Sequence, residues 1–179
     1  MFRTAGVPNE RTKGEDFVKR VVLSLLVENS SGVLSRIAGL FSRRGYNIDS
    51  LTVGETQNPA FSRMTIVSSG EDLVIEQLSK QVAKQVDVVD VKILPEEASV
   101  CRELVLIKVE VDPEKRQQII AIAEIFRASI VDVAENSVII ELTGRESKLE
   151  AFLNLLSGYK VLQVARTGIT GLARGSFEH

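Results

Sequence analysis

Between Val27 and Val53 the chain reads VENSSGVLSRIAGLFSRRGYNIDSLTV, with an asparagine, two serines and a glycine directly ahead of apolar residues at Val33, Leu34, Ile37, Ala38, Leu40 and Phe41. That spacing predicts a helix opening near Gly32. The first N–H groups of a helix have no intrahelical partner and carry a partial positive charge, so a small carboxylate can be received there, and Gly32 lacks the side chain that would keep it away. Asn29 offers an amide oxygen and amide donors beside that point, which suits the ammonium and carboxylate of an amino acid. The same residue types also cap ordinary helices, and Asn47, two positions beyond Gly45, is at home in a turn or an edge strand. Spacing alone leaves both readings open. Arg36, Arg43, Arg44 and Arg63 read as a solvated helix face with last-turn cations rather than as a basic patch.

Other chemistry is thinly represented. The single histidine, His179, is the last residue, whereas zinc sites of Cys/His type, Ser-His-Asp triads and histidine general bases need an imidazole held in a pocket. The single cysteine, Cys101, excludes an internal disulfide, fits a reducing compartment, and reads as an ordinary thiol near a linker. TGITGLARG places glycines at Gly168, Gly171 and Gly175 but has neither a P-loop lysine nor a dinucleotide fingerprint. Catalysis by carboxylates or lysine remains formally open.

At 179 residues and 44% apolar, the chain can build one or two small domains with real cores. A net charge of −2 and a pI near 5.6 provide no global basic field, so neither nucleic acid nor an anionic membrane is an expected partner. No apolar run approaches the ~20 residues of a membrane span. The opening MFRTAGVPNERTKGEDF lacks the apolar centre of a secretory signal, and Glu10, Glu15 and Asp16 argue against a transit peptide; a cytoplasmic protein is expected.

The elements that must position these residues form two copies of one pattern. RVVLSLLVE is β-rich and precedes the first helix, Gly45 follows SRR where a C-cap glycine belongs, and YNIDSLTVG resumes strand composition. TQNPA is a turn, FSRMTIVSS the returning strand, Glu71 to Gln85 a helix with Val74, Leu78 and Val82 on one face, and VDVVDVKIL a closing strand. PEEAS, Pro95 to Ser99, is a polar break. The order then restarts: ELVLIKVEV, a helix opened by DP and carrying Ile119, Ile122, Ala123 and Phe126, a hairpin turning at Glu135–Asn136, a helix marked by Leu149, Phe152, Leu153 and Leu156, and KVLQVAR. A tandem βαββαβ repeat predicts an α+β protein with two ferredoxin-like domains. The expected division is an extension over 1–18, a first domain over 19–94, a linker over 95–101 and a second domain with its tail over 102–179. In this topology the second strand lies at a sheet edge, which invites pairing with a second copy, so a homodimer is expected.

LLVENSSGVLSRIAGLFSRRGYNIDSLTVGET and SRMTIV closely resemble the N-terminal ACT domain of the regulatory (small) subunits of acetolactate synthase. AEIFRASIVDV and ARTGITGLARG resemble the second domain and tail of that family. The likeness covers nearly the whole chain; the extension through about Val18 has no counterpart in the short bacterial form. The resemblance implies a non-catalytic chain without cofactors of its own, which binds the catalytic (large) subunit, raises its activity and makes it inhibitable by valine or another branched-chain amino acid. The partner is expected to use thiamin diphosphate, Mg and FAD. Carried over residue by residue, the effector positions are Asn29, Gly32, Val33 and Leu34 of one chain with Asn47 and Ile48 of its dimer partner, and no catalytic or metal-binding residues are implied. Two alternatives compete. A stand-alone ACT-domain sensor or gene regulator would need a DNA-reading element, and no helix-turn-helix or basic helix is left unassigned. A small enzyme on the same fold lacks an internal histidine.

Overall fold

The computed structural model describes residues 19–175; the extension 1–18 and His179 lie outside the described residues. The first half runs β1 (Lys19–Glu28), α1 (Val33–Arg43), β2 (Ser50–Glu55), β3 (Phe61–Gly70), α2 (Asp72–Ala83) and β4 (Val88–Ile93). The second half repeats the order as β5 (Ser99–Glu110), α3 (Pro113–Ile125), β6 (Ser129–Val133), β7 (Ser137–Gly144), α4 (Glu146–Leu155) and β8 (Val161–Arg166), and adds β9 (Thr170–Ala173). Both sheets are antiparallel, with orders β2-β3-β1-β4 and β6-β7-β5-β8. The fold is therefore the expected α+β tandem of ferredoxin-like units, with β2 at an edge.

Each half has its own core because each has its own amphipathic set. In β1, Val21, Leu23, Leu25 and Val27 alternate onto the helix side and meet Val33, Ile37, Leu40 and Phe41 of α1 and Ile75, Leu78 and Val82 of α2. Phe41 is fully buried, and truncating it to alanine would cost about 3–5 kcal/mol. α1 stops where Gly45 takes φ 71° and the Tyr46 N–H returns to the Phe41 carbonyl at 3.0 Å, a glycine-dependent C-terminal cap. The second core joins Val105, Ile107 and Val109 of β5 to Ile119, Ile140 and Phe152. α3 opens as its sequence implies: the Asp112 side chain accepts from the Lys115 N–H at 2.7 Å, ahead of Pro113 at the first helical position.

The tail was not anticipated as structure. β9 pairs antiparallel with the first residues of β5, Ser99 against Ala173 through Arg102 against Thr170. Thr167 starts this return, its N–H donating to the Leu104 carbonyl at 3.0 Å. β5 thus serves two ladders, its first residues holding the tail and the remainder lying between β7 and β8. An ion pair between Arg20 of β1 and Glu146 at the start of α4 also spans the halves.

Candidate functional site

The mouth of α1 is built around Gly32. It is the N-cap residue at φ 86°, and no side chain caps the helix, so neither Asn29 nor the two serines play the capping role that the sequence left open. A left-handed φ is readily available only to glycine. Val33 is 2% exposed, with its side chain in the core, and its N–H donates to the Ser30 carbonyl at 3.5 Å. Leu34 is 44% exposed and flanks the mouth with apolar surface. Asn29 is fixed by the β2–β3 connection: its backbone N–H donates to the Ala60 carbonyl at 2.8 Å, and its Nδ2 donates to the Pro59 carbonyl at 2.9 Å and lies 3.4 Å from Glu55 Oε2.

Arg36 belongs to the mouth, and the sequence did not identify it. Its Nε and Nη2 donate to the two oxygens of Asp87 at 2.6 and 2.8 Å, and its Nη1 stands 2.9 Å from where a Cβ on Gly32 would be. The bidentate pair fixes the planar guanidinium over the helix entrance. The Arg36 guanidinium in turn holds the Asp87 carboxyl below its ordinary range, chiefly through the side-chain hydrogen bond. The Asp87 carbonyl accepts from the Glu28 N–H at 2.9 Å, which anchors the pair next to Asn29. The mouth therefore presents the positive end of α1 and a positioned cation to anything that approaches Gly32.

Asn47 and Ile48 lie elsewhere in the chain. The Asn47 carbonyl accepts from Ser68 Oγ at 2.6 Å and its Nδ2 donates to Asp49 Oδ1 at 2.5 Å, while Asp49 Oδ2 accepts from Ser69 Oγ at 2.6 Å. Ile48 is half-buried against the first core. Because Ser68 pairs with Val21 and Phe61 with Glu28, these residues sit at the end of the sheet where β1 starts, whereas Asn29 follows the end of β1. Seven strand steps of ~3.3 Å separate the two groups by roughly 23 Å. One chain brings Asn29, Gly32, Val33 and Leu34 together and holds Asn47 and Ile48 at the far end of the same sheet.

A cleft of about 640 Å³ between the halves, lined by Val21, Leu94, Cys101, Arg102 and Glu146 among others, includes none of the six candidate positions. Among the described residues no group of three or more His, Cys, Asp or Glu side chains is placed to hold a metal ion, and no helix is long and apolar enough to cross a membrane.

Comparison with known proteins accounts for both halves. Residues 23–90 match the AHAS small subunit-like ACT domain family, and residues 102–175 match the family described as small subunit of acetolactate synthase. The chain is 51% identical over 154 residues to a probable acetolactate synthase small subunit of Archaeoglobus fulgidus, covering 86% of this chain and 96% of that protein. It is 46% identical over 157 residues to the acetolactate synthase isozyme 3 small subunit of Escherichia coli K12, covering 87% and 96%. The crystal structure of the acetolactate synthase small subunit of Thermotoga maritima superposes with a TM-score of 0.82 at 46% identity, covering 88% of this chain and 99% of that one.

Proposed function

Because the chain belongs to the acetolactate synthase small-subunit family, we propose that it is a non-catalytic, cytoplasmic regulatory subunit that raises the activity of the catalytic subunit and makes that activity inhibitable by valine or another branched-chain amino acid. The effector binds between two copies of the chain, at residues of the unit spanning 19–94; the unit from 102 onward is a separate domain that joins in the response.

One observation carries this reading: the two halves of the candidate site stand at opposite ends of an edge strand with a free side. Among the described residues β3 is the one strand that pairs with β2. Pairing β2 antiparallel with β2 of a second copy about a two-fold axis reverses the strand, so its Ser50 end lies against the partner's Glu55 end. Glu55 neighbours Asn29, and the two groups that one chain keeps apart then become adjacent, twice per dimer. The chemistry is complementary to an amino acid. The positive start of α1 at Val33 and Leu34 together with Arg36 receives the carboxylate, the amide oxygens of Asn29 and Asn47 suit the ammonium, and Leu34 and Ile48 contact a small apolar side chain.

The test is to assay the catalytic subunit with and without this protein across valine, leucine and isoleucine, and to follow melting of the protein alone. An effector that binds only the folded dimer stabilises it by about 2.7 kcal/mol at a hundredfold excess over Kd. Absence of activation, together with absence of a melting shift with all three amino acids, would overturn the reading.

A further inference from the structure

The residue that joins the two domains most directly is Ile169, and it does so at the strand on which the proposed effector site depends. Its N–H donates to Ser50 Oγ at 2.9 Å and its carbonyl accepts from Thr52 Oγ1 at 2.9 Å. Both peptide polar groups of one tail residue are thus taken by alternate residues of β2, which project from the same face of the strand. Leu51, between them, packs on the first core from the other face. On the β2 side the clasp therefore uses side chains only and leaves the free backbone edge of β2 for pairing with another strand.

The geometry around Ile169 is specific. Gly168 has φ 85°, and a Cβ there would stand 2.5 Å from Ser50 Oγ, so the chain can turn onto β2 only because that residue is glycine. On the second-domain side, Thr167 is locked to β5: besides the N–H bond to Leu104, its Oγ1 accepts from the Leu104 N–H at 3.1 Å. Beyond Ile169, β9 is tied to the start of β5, and the Arg174 N–H donates to the Ala98 carbonyl at 2.8 Å. Ile169 itself is 7% exposed. The tail is held on both sides and has little freedom to follow β2 independently of the second domain.

β2 is also the strand that begins directly after Asn47–Asp49. Asp49 binds the Asn47 amide on one oxygen and Ser69 on the other, and Ser50, the next residue, holds Ile169. We infer that the Ser50–Ile169–Thr52 clasp is the positioning element that passes effector occupancy at the start of β2 to the second domain. This rests on the effector site proposed above. An effector that shifts the start of β2 must either drag Thr167–Thr170 with it or break two hydrogen bonds, so states of β2 and of the second domain are coupled. Exposed charge pairs such as Arg20–Glu146 are poor carriers of such coupling.

The experiment uses the full-length protein with its catalytic subunit and has two readouts: valine binding to the free small subunit by calorimetry, and activation and valine inhibition of the assembled enzyme. The double substitution Ser50→Ala with Thr52→Val is expected to leave binding and valine-free activation unchanged and to reduce maximal inhibition by about fivefold or more, the lower end of ordinary allosteric coupling. Gly168→Ala should reproduce it by displacing Ser50, and Thr52→Ser, which keeps the hydroxyl, should behave as wild type. The inference is overturned if the double variant is inhibited as fully as wild type, if its loss of inhibition is matched by an equal loss of valine binding, or if Thr52→Ser is as defective as Thr52→Val. Absence of valine, leucine or isoleucine binding in the wild-type protein is a different signature; it removes the effector site itself, and the clasp's role with it.

Discussion

The guanidinium of Arg36 lies over Gly32, with Nη1 2.9 Å from the position of a Cβ on that glycine. The helix mouth is thus narrow as well as positive, and the φ of 86° at Gly32 penalises any side chain before its chemistry counts.

Gly32→Ala is therefore expected to lower stability by about 1–2 kcal/mol and to abolish valine inhibition, because its methyl group and the displaced Arg36 fill the entrance. Gly32→Asp adds a carboxylate that pairs with Arg36 in place of an effector. Gly45→Ala is the control: φ is 71° there and nothing lies within 4 Å of its Cβ position, so it should show a similar stability loss in denaturant melts with valine sensitivity intact. Equal valine sensitivity in all three variants would remove Gly32 from the site.

The Arg36–Asp87 pair sets a pH dependence. Arg36 holds the Asp87 carboxyl below its ordinary range, so its contribution to stability is present above the unfolded value near 3.9 and is lost as pH falls through the lower folded value. Wild type should be more stable than Arg36→Met by a constant margin between pH 5 and 8, taken as an approximate window. That margin should shrink progressively below about pH 4. Urea melts across pH 3 to 8 measure it, and a margin that stays flat to the acid end would show that the pair contributes packing rather than charge.

A site shared across a two-fold axis predicts complementation. Asn29→Ala and Asn47→Ala should each remove binding as homodimers, a hydrogen bond to a charged group contributing on the order of 1.5–3 kcal/mol. Refolded together in equal amounts, the two chains form heterodimers in which one site has both asparagines and the other has neither. About a quarter of all sites then recover, which titration calorimetry can count. No recovery in the mixture would place both asparagines in one chain's site or outside it altogether.

Val53 lies on β2 and is 47% exposed in the single chain. Val53→Lys should halve the mass seen by light scattering, since a charge on an unpaired edge opposes strand addition. Valine binding should be lost together with the dimer, while far-ultraviolet circular dichroism stays that of a folded α+β chain. A Val53→Lys dimer of wild-type affinity would move the interface away from β2.

Much of this was legible in the sequence because it rests on local periodicity. Val33, Ile37, Leu40 and Phe41 recur at helical spacing and are the buried residues of α1, and the alternation of RVVLSLLVE is that of β1. Gly45 was legible as a helix stop because SRR and a glycine form a local signal. Arg36 was not, because an arginine on a helix looks solvated until its partner is known, and Asp87 lies 51 positions away. β9 escaped for a related reason: TGLA has four residues and a glycine, too short for alternation to show, and its strand character comes entirely from the ladder it finds on β5. The separation of Asn29 from Asn47 likewise follows from sheet register, which no spacing along the chain reveals.

The clasp has a consequence for how the molecule is made. Ile169 bonds to residues 117 and 119 positions earlier, so on a ribosome β2 is finished and folded well before its tether exists. Neither core draws on the tail: the first is complete by Val91 and the second by Tyr159. A message broken shortly after Arg166 would therefore yield a chain with both sheets formed and its dimer edge intact, able to enter mixed dimers while carrying no tether to the second domain. Closure of the segment from Thr167 to Ala173 onto β2 and β5 comes after both cores are complete, and a nonsense allele in this segment would be expected to act dominantly rather than as a simple loss.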